Sequence, residues 1–192
     1  MPRPKVVCDP GHGGSDPGAV STGGVRESDL NLKLALRFKV LAALYYQFDV
    51  SLLRATDLFM SLANRAKLAN DLAPSCVLSF HCNAAGTPQA SGFEVFTTPG
   101  QTLADPLATH IYEEMDKVAP YPGRSDYDDG DPDKEARFYV LRNTAAPAVL
   151  IEFGFMTNPG DLAVLQNEAE QDGMLQAVCE AVTDWLMERG VQ

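Results

Sequence analysis

The chain has 192 residues, 45% of them hydrophobic and 21% charged, with 15 glycines and 13 prolines, a globular composition that excludes a disordered or collagen-like chain. Fifteen basic against 26 acidic side chains leave a formal net charge of −11, which argues against a partner bound through nucleic-acid phosphates or an anionic membrane surface. A domain of this size buries about 70% of its unfolded surface. Residues 1–192 are therefore expected to fold as one domain without a disulfide or structural metal, with Cys8, Cys76, Cys82 and Cys179 as reduced thiols.

Short β-rich runs alternate with helical patterns, the signature of an α/β sheet covered by helices. Lys5 to Asp9 is the first strand, and it meets the glycine-rich loop Pro10 to Gly18. From Ser28 to about Tyr46, Leu30, Leu34, Phe38, Leu41 and Tyr45 recur at helical spacing, which places Glu27 at the front of a helix. Val50 to Leu53 reads as a strand. A short amphipathic helix carrying Leu62, Ala66, Ala69 and Leu72 follows, with Ser61 as its N-cap.

Val77 to Phe80 is a buried strand ending at His81, and Phe93 to Thr97 is another after the Gly86 to Gly92 turn. Asp105 as N-cap, followed by Pro106 in the first helical position, starts a helix bearing Leu107, Ile111, Met115 and Val118. Ala119 to Glu135 is rich in Asp, Pro and Gly and reads as a long mobile surface loop. Its acids suggest calcium, yet read from Asp126 the glycine falls one position early and Arg137 stands where the closing glutamate belongs. A solvated acidic loop is the expectation.

Tyr139 to Leu141 and Val149 to Phe153 read as the last strands. Asn158-Pro159 caps a further helix, and the final helix turns Leu175, Val178, Cys179, Val182, Trp185 and Leu186 inward before Gly190. No apolar stretch of signal-peptide length follows the N-terminus, and no run reaches about 18 apolar residues. The expectation is a soluble chain with no export signal and no membrane span.

Ligands of open α/β sheets collect at the carboxyl ends of strands. Four polar residues stand there: His12 after the first strand, Glu27 closing the loop, His81 ending the third strand, and Glu152 inside the apolar run Ala148 to Phe153. Two imidazoles and a carboxylate, with a fourth position left to water, form a standard ligand set for catalytic zinc. The alternative is a pair of satisfied surface histidines. His110, within a helical pattern, is read as structural. Glu152 is either a general base tuned by burial or half of a structural ion pair with Arg142 or Arg54.

The blocks Val6-Val7-Cys8-Asp9-Pro10-Gly11-His12-Gly13-Gly14, Arg26-Glu27, Arg54-Ala55-Thr56-Asp57 through Arg65 to Asn70, Ser79-Phe80-His81-Cys82-Asn83-Ala84, and Leu141-Arg142-Asn143-Thr144 through Pro147 to Pro159 carry a resemblance. In order and over nearly the whole chain, the sequence resembles the zinc-dependent N-acetylmuramoyl-L-alanine amidases. The resemblance implies a mixed, mostly parallel sheet with helices on both faces. It implies His12, Glu27 and His81 as ligands of one zinc ion per chain and Glu152 as the catalytic carboxylate.

The implied substrate is peptidoglycan, cleaved between N-acetylmuramic acid and the L-alanine of the stem peptide. Asn83 and Asn143 are substrate contacts on position alone. No wall-binding domain is recognisable, and the implied role is a phage endolysin or lytic cell-wall enzyme, made in the cytoplasm and acting on the wall after release. Two other readings stay open: a non-catalytic peptidoglycan-binding module of the same fold, and a cysteine-dependent amidase using Cys8 or Cys82.

Overall fold

The structure is a computed structural model that describes residues 3–128 and 130–191. Met1, Pro2 and Gln192, and Asp129 of the acidic loop, lie outside the described residues. The strands are β1 (Lys5–Pro10), β2 (Asp49–Leu52), β3 (Cys76–Asn83), β4 (Glu94–Thr97), β5 (Lys134–Glu135) and β6 (Ala148–Phe155). The helices are α1 (Glu27–Tyr45), α2 (Leu62–Leu72), α3 (Asp105–Val118), α4 (Tyr139–Asn143), α5 (Pro159–Gln166) and α6 (Glu168–Glu188).

The strands form one sheet in the order β2-β1-β3-β6-β4-β5. Neighbours run parallel except β4 and β6, which are antiparallel, so the mixed, mostly parallel sheet expected of the sequence is present. Side chains alternate between its two faces. Val6, Cys8, Leu78, Phe80, Val149, Ile151 and Phe153 pack with α1, α3 and α6 in the larger core. Val7, Val77 and Leu150 pack with Ala69 of α2 and Leu141 of α4 in the smaller one.

Local chemistry sets the helix ends. Ser61 caps α2 by accepting from Asn64 N at 3.3 Å, and Asn158 caps α5 by accepting from Gly160 N at 2.8 Å. Helix α1 has no side-chain cap. Its first amides are satisfied by the preceding loop instead, Glu27 N to Ala19 O at 2.8 Å and Ser28 N to Pro17 O at 3.0 Å, which pins the start of α1 to the glycine-rich segment.

Three expectations need correction. Tyr139 to Leu141 is not a strand but the start of α4, where Arg142 N bonds Phe138 O and the side chains of Asn143 and Thr144 return to the carbonyls of Tyr139 and Val140. These local bonds outweigh the β propensity of a Tyr-Val-Leu run. Asp105 is the first residue of α3 and Ala104 its N-cap. The Ala119 to Glu135 loop is exposed over most of its described length, yet it ends in β5 and buries Tyr121 and Asp133.

Candidate active site

The smaller core covers the sheet face beneath α2 and α4 but stops short of the strands' carboxyl ends. There the alternation that points Val7, Val77 and Leu150 at the helices brings Asp9, Ser79, His81 and Glu152 to the same face, where they line a cleft of about 790 Å³. His81 and Glu152 are register partners in the β3–β6 ladder, and Glu94 of β4 is paired with Glu152 from the other side. Phe59 and Leu62 at the front of α2 and Phe138 and Tyr139 at the front of α4 form its apolar walls. All four are more than a third exposed.

Three of the predicted residues converge. Glu27 Oε1 lies 3.1 Å from His12 Nε2 and 2.9 Å from His81 Nδ1, and the three ligand atoms lie within 4.8 Å of one another. The same oxygen is 3.3 Å from the amide N of Cys82 and from Asn31 Nδ2, while Oε2 accepts from Ala19 N at 2.9 Å. Glu27 is thus buried, fixed by donors on every side and placed at a helix N-terminus, where an anion is favoured.

His12 is held from behind, its Nδ1 2.9 Å from Asp16 Oδ2, which turns Nε2 toward the centre. A carboxylate backing an imidazole fixes its tautomer and raises its basicity as a ligand. The residue adopts φ 60°, a left-handed conformation costly outside glycine, so the loop holds it against local preference. Gly11 and Gly18 make the packing possible. A β-carbon on Gly11 would overlap the His81 ring, and one on Gly18, whose φ is +65°, would overlap Glu27 Oε2 and His12 Cδ2.

Electrostatics fit a cation at the centre. The hydrogen bond to Glu27 raises His12 to about 9 against the opposing effect of burial, with Asp16 adding to the rise. Burial opposes ionisation of Glu27, but bonds from His12 and His81 outweigh it and hold the carboxyl far below its ordinary value. Glu152 behaves in the opposite way. Burial pushes its carboxyl up to about 7, with Glu27 and Glu94 adding to the rise against the two histidines.

Glu152 Oε2 is buried with no hydrogen-bond partner. An orphan carboxylate oxygen beside a His-Glu-His cluster suits a proton acceptor next to a metal, and two imidazoles plus one carboxylate are donors that zinc prefers. The residues present therefore fit a zinc ion.

An ion pair of Glu152 with Arg54 and a cysteine mechanism find no support in these contacts. Arg54 donates to the carbonyls of Pro10, Gly11, Ser28 and Thr56, so it is committed to the loop backbone and is no partner for Glu152. The buried ion pair nearby is Arg65 with Asp9, at 2.6 Å. Cys8 and Cys82 are buried, and burial raises both thiols well above their ordinary value, which removes the thiolate that a cysteine mechanism needs. His110 lies 3.1 Å from Glu188 on the helical side, away from the cleft.

Of the two asparagines, Asn83 lines the cleft and donates to Glu94 Oε2 at 2.7 Å. Asn143 does not reach it; its amide bonds Tyr139 O at the end of α4. Sequence reasoning misses Asp16, Asn31 and Glu94. Asn31 is within its reach, because it follows Glu27 by one helical turn on the same face.

The family described as N-acetylmuramoyl-L-alanine amidase matches residues 6–184. The chain is similar to the N-acetylmuramoyl-L-alanine amidase CwlM of Bacillus licheniformis, 38% identical over 169 residues, covering 86% of this chain and 62% of that protein. It is also similar to an endolysin of Bacillus phage SPP1, 32% identical over 188 residues, covering 94% of this chain and 65% of the endolysin. It spans less than two-thirds of the length of either relative. Among solved structures, that of an N-acetylmuramoyl-L-alanine amidase from Clostridium difficile 630 superposes with a TM-score of 0.90 at 30% identity, covering 99% of this chain and 100% of that one.

Proposed function

The chain belongs to the N-acetylmuramoyl-L-alanine amidase family, and from that premise we propose that it hydrolyses the amide joining the lactyl group of N-acetylmuramic acid to the L-alanine of the stem peptide in peptidoglycan. The observation that carries the reading is the convergence of His12 Nε2, Glu27 Oε1 and His81 Nδ1 beside the unpartnered Oε2 of Glu152.

His12, Glu27 and His81 would hold one zinc ion. The chemistry zinc supplies when bound is polarisation of the scissile carbonyl and acidification of water toward pKa about 7. Asp16 keeps the proton of His12 on Nδ1 and so presents the Nε2 lone pair inward. Glu27 stays ionised and supplies the negative charge of the ligand set. Glu152 accepts the proton of the attacking water at Oε2 and returns it to the departing amine nitrogen of L-alanine, a task suited to a carboxyl held near neutrality.

Phe59, Leu62, Phe138 and Tyr139 offer apolar flanks to the peptide and sugar. Among the described residues no helix is long and apolar enough to cross a membrane. The reading extends to a protein made in the cytoplasm that meets the wall after release, as an endolysin or lytic enzyme does. Mass spectrometry of fragments released from purified peptidoglycan tests it. Free L-alanine amino termini with intact glycan strands are expected, and cleavage only within the sugars or within the peptide would refute it.

A further inference from the structure

The loop between α3 and α4 ends on a half-buried and a buried carboxylate, Asp131 and Asp133, neither of which lines the cleft. Asp133 is 2% exposed; its Oδ2 accepts from Thr97 Oγ1 at 2.6 Å, and its Oδ1 is buried without a partner. Oδ1 of Asp131 is likewise buried without a partner, and the two carboxyls are close enough to share a proton. Asp105 adds a third acid nearby, its oxygens held by Thr102. The adjacent Lys134 does not balance them, because its Nζ lies 2.7 Å from Glu94 Oε1.

Two orphan anionic oxygens in a buried setting are costly unless a proton or a cation joins them. We propose that Asp131 and Asp133 hold a divalent cation of the calcium class, which fastens the end of the loop to the β4 edge. The donors are all oxygen, with no imidazole or thiolate among them, which selects a hard cation over zinc. The site is not an EF-hand, since the loop lacks that register.

In its absence, burial, reinforced by Asp131 and Asp105, raises Asp133 to about 8 despite the Thr97 hydrogen bond. A proton then occupies the position the cation would take. The consequence reaches the cleft. Lys134 directly follows Asp133, and with Arg124 of the same loop it seats on Glu94, the cross-strand partner of Glu152. Fixing Asp133 fixes that seat.

The test is a titration of the zinc-loaded protein with calcium chloride up to about 10 mM, above the Kd of about 10⁻⁴ to 10⁻³ M found for weak calcium modules. Thermal unfolding and titration calorimetry are the readouts, so the result is independent of the amidase reading. The melting midpoint is expected to keep rising with log calcium concentration, as for a ligand bound only by the folded state, with one calcium per chain. Asp133→Asn and Asp131→Asn should abolish the rise, while Asp126→Asn, at an exposed carboxylate earlier in the loop, should keep it. A wild-type midpoint indifferent to calcium, or a response that survives both loop-end substitutions, overturns the proposal. A calcium-indifferent wild type in which Asp133→Asn raises the midpoint also overturns it, and identifies a proton-sharing carboxyl pair instead.

Discussion

His81 and Glu152 are direct partners across the parallel β3–β6 ladder, so the imidazole and the carboxyl stand side by side on one face of the sheet. That register places a candidate metal ligand and a candidate proton acceptor next to each other on two central strands. His12 of the glycine-rich loop and Glu27 at the start of α1 then complete the cluster from the open side.

Asp16→Asn should weaken zinc binding without unfolding the protein. The amide can still contact Nδ1 but no longer supports the imidazole with a charge, and loss of such an outer partner costs roughly 10- to 100-fold in metal affinity. Competition with a chromogenic chelator reads the change. Unaltered affinity would mean that Asp16 only shapes the loop.

Gly18→Ala should damage the site more than the fold. The left-handed backbone alone costs about 1–2 kcal/mol, and the new methyl overlaps Glu27 Oε2 and His12 Cδ2. Denaturant unfolding should show a modest loss, while zinc affinity falls sharply. Normal zinc binding would contradict this packing.

Arg65→Ala and Arg37→Ala should differ widely. Arg65 and Asp9 are 3% and 1% exposed, and stranding the buried Asp9 is expected to cost about 3–5 kcal/mol. Arg37 makes two short bonds to Asp172, at 2.6 Å, but its side chain is 44% exposed, and such a solvent-screened surface pair should leave stability almost unchanged. Urea midpoints compare the two, and equal losses would contradict the burial argument.

The metal-free protein should become less favourable to fold as pH rises through the range set by Glu152. A carboxyl whose folded value is about 7 against an ordinary 4.5 carries no penalty below the lower value, and a growing one up to the higher value. Glu152→Gln removes it, so the metal-free variant should be more stable than wild type at pH 8, with the gap closing near pH 4. A gap that does not change with pH would deny the burial effect.

Much of the fold and of the site is legible in the sequence alone. The 3.6-residue pattern from Leu30 to Leu41 marks α1, and an acid within the apolar β6 run marks Glu152, because both signals are local. The α4 segment reads as a strand because Tyr-Val-Leu satisfies a strand pattern, while the bonds that curl it into a helix come from its neighbours. The two-residue β5 has too little sequence to carry a period. Asp16 and Glu94 gain their roles from loop closure and cross-strand register, which no spacing encodes. Asn143 stands in a block that carries the resemblance, but its own side chain bonds Tyr139 O and does not reach the cleft.

Zinc content and turnover measured together on Glu152→Gln and His81→Ala test the central assignment most directly. Glu152→Gln should keep about one zinc per chain and lose roughly 10² to 10⁴ in rate, the usual worth of a general base. His81→Ala should lose both zinc and activity, as removal of a ligand requires. Near-normal turnover in Glu152→Gln, or loss of its zinc, would contradict the account, the first by making the carboxyl structural and the second by making it a ligand.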